Sequence, residues 1–211
     1  MRHKFLGFAV VLSFLFLALP THAHEAGKWV YRVGVGTIQP DDKNLTLDST
    51  TYVEVDGGTS ATFNLTYFVT PNLAFDVLAA LPFDHDIVLV SDGVGSKIAE
   101  TNHLPPTLSL QWHFLPEGKV QPYVGVGANW TTFFNTDTID ALADAGVNLE
   151  LDDSFGVAAQ VGADYVLDNG FMFNFDVRYI NIETDAELGG APIGTVAIDP
   201  MVYSLSVGYQ F

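Results

Sequence analysis

The C-terminal segment Met201-Val-Tyr-Ser-Leu-Ser-Val-Gly-Tyr-Gln-Phe211 puts Met201, Tyr203, Leu205, Val207, Tyr209 and Phe211 in one phase. Val202, Ser204, Ser206, Gly208 and Gln210 fall in the other. A two-residue period makes one face of a strand apolar and leaves the other mostly small or polar. The pattern occurs eight times along the chain, with aromatic residues near the ends of the apolar stripes, as in strands whose outer face meets lipid. No 3.6-residue stripe of useful length appears beyond the first residues, so the chain reads as all-β.

The first segment, Trp29 to about Gln39, turns Trp29, Tyr31, Val33 and Val35 outward and Arg32, Gly34 and Gly36 inward. The second, Thr59 to Val69, opposes Phe63, Leu65 and Tyr67 to Asn64 and Thr66. The third starts at Leu73 and sets Phe75 and Val77 against Asp76 and Leu78, and the fourth sets Leu108, Leu110 and Trp112 against Ser109, Gln111 and His113. In the fifth, Val124, Val126 and Trp130 oppose Gly125, Gly127 and Asn129. Val157, Val161 and Tyr165 oppose Gln160 and Asp164 in the sixth, and Phe173, Phe175 and Tyr179 oppose Asn174, Asp176 and Arg178 in the seventh. Thr70-Pro-Asn72, Pro116-Glu-Gly-Lys119 and Asp168-Asn-Gly170 are tight turns, whereas 40–58, 84–100, 134–153 and 185–196 are long. Short and long connections therefore segregate to opposite ends, with Ile139, Leu142, Ala143 and Val147 marking a candidate short helix in the third long loop.

Hydrocarbon offers no partner to a free strand edge, so lipid-facing strands must close on themselves. The fold expected is an eight-stranded antiparallel transmembrane β-barrel with short periplasmic turns and long extracellular loops. Arg2 and Lys4 precede an apolar run from Phe5 to Leu19, then Pro20 and Thr21-His-Ala23, which reads as a signal peptide over 1–23 and places the barrel domain at 24–211. The run is too short for a membrane-spanning helix. Loss of Arg2 and Lys4 leaves 6 basic against 25 acidic residues, or −19, so nucleic acid is not a partner. The acidic residues concentrate in the connections, which are expected to be solvated. Cysteine is absent, which removes disulfides, thiolate metal sites and cysteine nucleophiles.

Arg32, Asp76, Gln111, His113, Asn129, Gln160, Asp164, Asp176 and Arg178 fall in the inward phase and form an expected polar plug. An unpaired charge in so narrow an interior costs several kcal/mol, so the charges are expected to pair across the barrel. Leu78, Phe133, Ile180 and Ile182 lie inward near the external end and suggest an apolar funnel above the plug. Pro82, Pro105 and Pro106 each remove a ladder donor between the third and fourth segments. They either open a lateral gap in the wall or end strands at a loop boundary.

His24-Glu-Ala-Gly27, Leu81-Pro-Phe-Asp-His85, His103-Leu-Pro-Pro-Thr107, Gln121-Pro-Tyr-Val-Gly-Val-Gly127, Thr131-Thr-Phe-Phe134, Asp153-Ser-Phe-Gly156 and Gln160-Val-Gly162 resemble the outer membrane protein W (OmpW) family. So do Leu188-Gly-Gly190, Asp199-Pro200 and the terminal Gly208-Tyr-Gln-Phe211, so the resemblance spans the mature chain in order. It implies a Gram-negative outer-membrane channel for passive uptake of small hydrophobic molecules, released sideways into the membrane through a gap in the wall. Its partners would be outer-membrane lipid and small hydrophobic solutes, and no cofactor is implied. The family often carries tryptophan where this chain has Phe155, at a position tied to the apolar mouth. The resemblance thus adds Phe155 to the funnel, although alternation with Val157 turns it outward.

Two other function classes have residues to point to. Asp84, His85 and Ser91 at the external rim suggest an enzyme acting on lipid, with His103 and Asp86 nearby as possible metal ligands. The spacing is weakly specific, and the expectation is that the protein is no enzyme and binds no metal. Acidic loops also suit a structural or adhesive barrel. Gly34-Val-Gly36 and Gly125-Val-Gly127 precede no helix, so they are not phosphate cradles. Asn44-Leu-Thr46, Asn64-Leu-Thr66 and Asn129-Trp-Thr131 match a glycosylation pattern that has no default meaning in such a barrel.

Overall fold

The computed structural model describes residues 24–211, so the expected signal peptide lies outside the described residues. Eight strands close a ring: β1 (Trp29–Gln39), β4 (Gly58–Phe68), β5 (Leu73–Ala80), β8 (Thr107–His113), β9 (Val120–Thr138), β11 (Ser154–Val166), β12 (Phe171–Ile180) and β15 (Met201–Gln210). All neighbours are antiparallel. The last strand pairs with the first from Val30↔Gln210 to Gln39↔Met201, and Trp29 and Phe211 exchange backbone hydrogen bonds at 3.1 and 2.9 Å. Every barrel strand thus has two partners, as an environment without water demands.

The outer face carries Val33, Val35, Phe63, Leu65, Phe75, Val77, Leu110, Val126, Val161, Phe175 and Leu205, all exposed in the isolated chain. Aromatic residues gather at both ends of this apolar band. Trp29, Tyr31, Tyr67, Phe171 and Tyr209 ring the end near the termini, with Trp29 and Tyr67 4.7 Å apart and Phe171 and Tyr209 5.0 Å apart. Trp130, Phe155, Tyr179 and Tyr203 mark the other end. An apolar band between aromatic girdles is how a barrel matches hydrocarbon flanked by headgroups.

The long connections differ from the sequence expectation: they are largely strands. β2 (Leu45–Thr46), β3 (Thr51–Val55), β6 (Phe83–Ser91) and β7 (Val94–Leu104) form a sheet that joins the upper part of β9 through pairs such as His103↔Phe133. β10 (Leu149–Leu151), β13 (Glu183–Leu188) and β14 (Ala191–Ala197) make a separate three-stranded sheet. The reason is the same alternation that builds the barrel. Val53, Val55, Ile87, Leu149, Ala186 and Val196 are buried against one another, while Glu150, Asp185 and Glu187 on the same strands remain exposed. The acidic side chains occupy the outer face of a wall rather than a solvated loop. The candidate helix forms as α1 (Asp140–Asp144).

Asn44 fastens this wall. Its amide donates to the carbonyls of Asp41 at 3.0 Å and Ala197 at 2.7 Å and accepts from the Val55 N–H at 2.7 Å, tying the first long connection to β14.

Candidate functional site

Inside the ring, the inward phase of each strand meets the others across a narrow lumen. The Arg32 guanidinium donates from Nε and Nη2 to the two oxygens of Asp164 at 3.0 and 2.7 Å, bridging β1 and β11. Its Nη1 donates to Thr66 at 2.7 Å, and Thr66 in turn donates to Asp76 at 2.7 Å. Asp76 also accepts from Asn64 at 2.9 Å and from Arg178 at 3.3 Å, which joins β4, β5 and β12. Arg178 Nε lies 3.5 Å from Asp176, whose other oxygen accepts from Tyr123 at 2.9 Å. Two guanidinium groups and three carboxylates are thereby held in one network, each almost fully buried. A bidentate Arg–carboxylate pair is the geometry that best offsets desolvation.

Gly162 makes room for this network. A Cβ there would run into the Tyr123 ring, so glycine lets the phenol reach Asp176 and Asn174. Gln111, His113, Asn129 and Gln160 are buried in the same lumen. Below the charged layer the structure adds a floor that alternation alone does not reveal. Val30, Phe68, Ala74 and Met172 cluster there, and the His24 ring stacks on Phe68 at 3.9 Å. His24, His113 and Asp164 approach one another within 4.8 Å, but both Asp164 oxygens are engaged by Arg32.

Above the charged layer lies a largely apolar cavity of ≈ 50 Å³. Val53, Ile87, Ala99, Phe133, Leu149 and Val196 are among its apolar walls, and Thr101, Thr138, Thr184, His85 and His103 are the polar residues. About 10–15 Å³ on this scale admits a water, so the resting cavity accommodates a small group and must breathe for a larger one. Ile180 and Ile182 are fully buried in the surrounding apolar cluster, and Phe133 packs against that cluster and faces the cavity. Leu78 is buried lower, opposite Thr107.

Phe155 requires a correction. It is 79 % exposed on the outer surface, where its ring stacks on Trp130 at 5.9 Å, so it does not line the funnel. The register opposes Phe155 to Trp130 without a bulge, and strand alternation therefore fixes it on the lipid side.

Pro82, Pro105 and Pro106 sit where the ladder changes partners. Pairing of β5 with β8 runs from Leu73↔Trp112 to Leu78↔Thr107, and pairing resumes above at Phe83↔His103 of β6 and β7. Between these rungs the two chains turn away from each other. Ala79 and Ala80 pair with Phe63 and Thr62 of β4, and the Leu81 N–H donates to the Ala61 carbonyl. On the other side Leu104 pairs with Thr132, and the Pro106 carbonyl accepts from the Trp130 N–H at 3.1 Å. A shallow pocket lined by Val77, Pro106, Leu108, Trp130 and Phe155 lies on the outer surface at this level.

The rim residues proposed for catalysis are not assembled. Ser91 stands six positions beyond His85 on the same strand, about 20 Å at the usual rise, beside Thr51. The His85 Nδ1 faces the Asp56 carbonyl at 2.5 Å, and Asp84 accepts from Asn102 instead. Sequence reasoning missed most of the cavity wall. The signals were present in the alternation of Thr51-Tyr-Val-Glu-Val55 and in the apolar run Ile87-Val-Leu-Val90, both inside stretches assigned as loops.

A model of the OmpW family matches residues 25–211. The chain belongs to the OmpW family. Outer membrane protein W of Escherichia coli strain K12 is 41% identical over 195 residues, covering 90% of this chain and 91% of that protein. The crystal structure of OprG from Pseudomonas aeruginosa superposes with a TM-score of 0.80 at 33% identity, covering 90% of this chain and 98% of that one. AlkL, solved in DMPC lipid bilayers, gives a TM-score of 0.67 at 30% identity over 95% and 97%. The OmpW-family assignment places the chain in the outer membrane, and the exposed apolar band is the surface that lipid covers.

Proposed function

We propose that the protein is a passive channel for small hydrophobic molecules, which pass from the outside into the apolar cavity and leave sideways between β5 and β8. The observation that carries this reading is the stacking of an apolar cavity on an ion-paired layer, with the exchange of ladder partners at the level between them. An apolar molecule gains about 25 cal/mol for each Å² it buries in the cavity. Continuing downward would require it to separate Arg32 from Asp164 and Arg178 from Asp76 in a lumen that side chains already fill, at a cost of several kcal/mol. The route through the wall meets Leu78, Thr107 and the outer apolar pocket instead.

The test is uptake of an apolar solute by cells lacking the chromosomal copy. Phe133→Asp and Leu78→Asp put a charge in the cavity wall and at its base, and each is expected to slow uptake at least several-fold while leaving folded barrel in the membrane. Unchanged uptake by correctly folded variants would overturn the route.

A further inference from the structure

Just behind the apolar surface of the cavity, two lining residues hold hydrogen-bonding capacity that the described residues leave partly unused. The three threonines on the wall are occupied: Thr101 bonds Thr136 at 2.9 Å, Thr138 donates to the Val147 carbonyl at 2.7 Å, and Thr184 donates to the Asp152 carbonyl at 2.6 Å. The two imidazoles are occupied only in part, through the bond from His85 to the Asp56 carbonyl. His85 and His103 are 3 % and 1 % exposed, and their rings stack at 4.6 Å with an interplanar angle of 14°. Phe83 and Phe133 flank His103 at 5.6 and 5.9 Å.

The hydrogen bond to the Asp56 carbonyl requires His85 Nδ1 to carry its proton, which leaves Nε2 as an acceptor without a partner among the described residues. Neither ring nitrogen of His103 has a partner among the described residues. Neutral imidazole carries one N–H and one lone pair, so the two rings hold two acceptors and one donor that no described residue meets; these nitrogens have almost no accessible surface in the resting cavity, and a solute reaches them as the cavity opens to admit it. Buried polar groups left unmet are uncommon and costly, and a ligand is a standard way of meeting them.

We infer that His85 and His103 recognise a hydroxyl group, so that the cargo this cavity fits is an apolar molecule bearing one neutral hydroxyl, an aliphatic alcohol or a phenol, in preference to a bare hydrocarbon. A hydroxyl donates to one lone pair and accepts from the His103 N–H at the same time, which a carbonyl or an ether cannot do. A carboxylate is disfavoured because it would enter without a counter-ion, since burial, and for His103 also the neighbouring His85, hold both imidazoles below their ordinary range of protonation. The inference rests on the uptake reading and narrows its substrate class. His103 and Phe83 also form the rung directly above the exchange of ladder partners, so a bound hydroxyl would sit at the threshold of the lateral route.

The experiment uses the mature protein in phospholipid nanodiscs with ring-¹⁵N histidine and labelled phenylalanine, titrated separately with 1-octanol and n-octane. Both solutes should shift the Phe133 resonances, and only 1-octanol should shift the ring nitrogens of His103. His103→Phe keeps an aromatic ring in the stack and removes both nitrogens. It should lower the affinity for 1-octanol relative to that for octane about tenfold, the equivalent of one lost hydrogen bond. Equal responses of His103 to the two solutes, or an unaltered affinity ratio in His103→Phe, would overturn the hydroxyl assignment while leaving the channel intact. Failure of both solutes to perturb Phe133 would overturn the channel and this inference together. If His103→Phe does not fold, the wild-type titration decides alone.

Discussion

The lower barrel and the extension above it are built from strands with the same two-residue period, yet they enclose different interiors. Below Thr107, the ring of eight strands faces lipid with its apolar phase and is left with polar side chains inside, which Arg32, Asp76, Asp164 and Arg178 satisfy by pairing across the lumen. Above it, the apolar phase of β3, β6, β10 and β13 turns inward and the acidic phase faces outward. The two regions are inverted with respect to each other because their outer solvents are inverted. The upper interior is therefore apolar where the lower one is polar, and the ladder exchanges partners between Leu78↔Thr107 and Phe83↔His103, at the level where the two regions meet.

The sharpest way to break this comparison is to remove one charge from the lower interior. Arg32→Ala leaves Asp164 buried without its bidentate partner and should cost about 3–5 kcal/mol, read as a lowered urea midpoint for unfolding from lipid vesicles. The double variant Arg32→Met with Asp164→Leu should recover most of that loss, since an apolar pair needs no compensation. Next in size is a test of the two outer solvents. Leu205→Lys, on the lipid face of β15, should destabilise by about 2–4 kcal/mol if it lies near the bilayer centre. Val94→Lys, equally exposed at the tip of the β6–β7 hairpin, should change stability by less than about 0.5 kcal/mol, because that tip already faces water.

A smaller effect concerns pH and only the upper region. Burial lowers the pKa of His85, and burial with the adjacent His85 lowers that of His103 to about 3, so the folded extension keeps both rings neutral. The unfolded segment takes up protons below its ordinary value near 6.5, so the stability contributed by this pair is full above that pH and is lost as pH falls toward 3. The protection factors of amides in β6 and β7 should fall over that window more than those in β12 and β15, and His103→Phe should flatten the difference. The smallest effect is expected at Lys97, which bridges Asp86 at 2.7 Å and Glu100 at 2.5 Å but is solvent-screened. Lys97→Ala should leave the thermal midpoint unchanged within error.

Strand existence was highly legible because each barrel strand must be apolar on one whole face. Trp29 to Gln39 reads as a strand over the same bounds that the structure assigns. The inward phase of Arg32, Asp76, Asp164 and Arg178 was legible for the same reason, but which carboxylate meets which guanidinium was not. Arg32 and Asp164 are 132 positions apart, and only closure of β15 onto β1 brings their strands to opposite sides of one narrow lumen. The extension was obscured by its charge: the acidic residues on its outer face resemble loop composition, and strands such as β3, β10 and β13 are only 5, 3 and 6 residues long. Phe155 shows the opposite case, where alternation turned the side chain outward correctly and the family pattern suggested the lumen.

The order of residues along the chain was enough to determine that hydrocarbon solvates one face of each barrel strand, since a period of two leaves a side chain no other face to occupy. It also determined that charged residues lie within. What the tertiary structure alone decided was the cavity and the place where the ladder exchanges partners. Both arise from which strand edges meet in space, and hydrogen-bonded pairing between distant segments depends on register and closure, which no local pattern encodes.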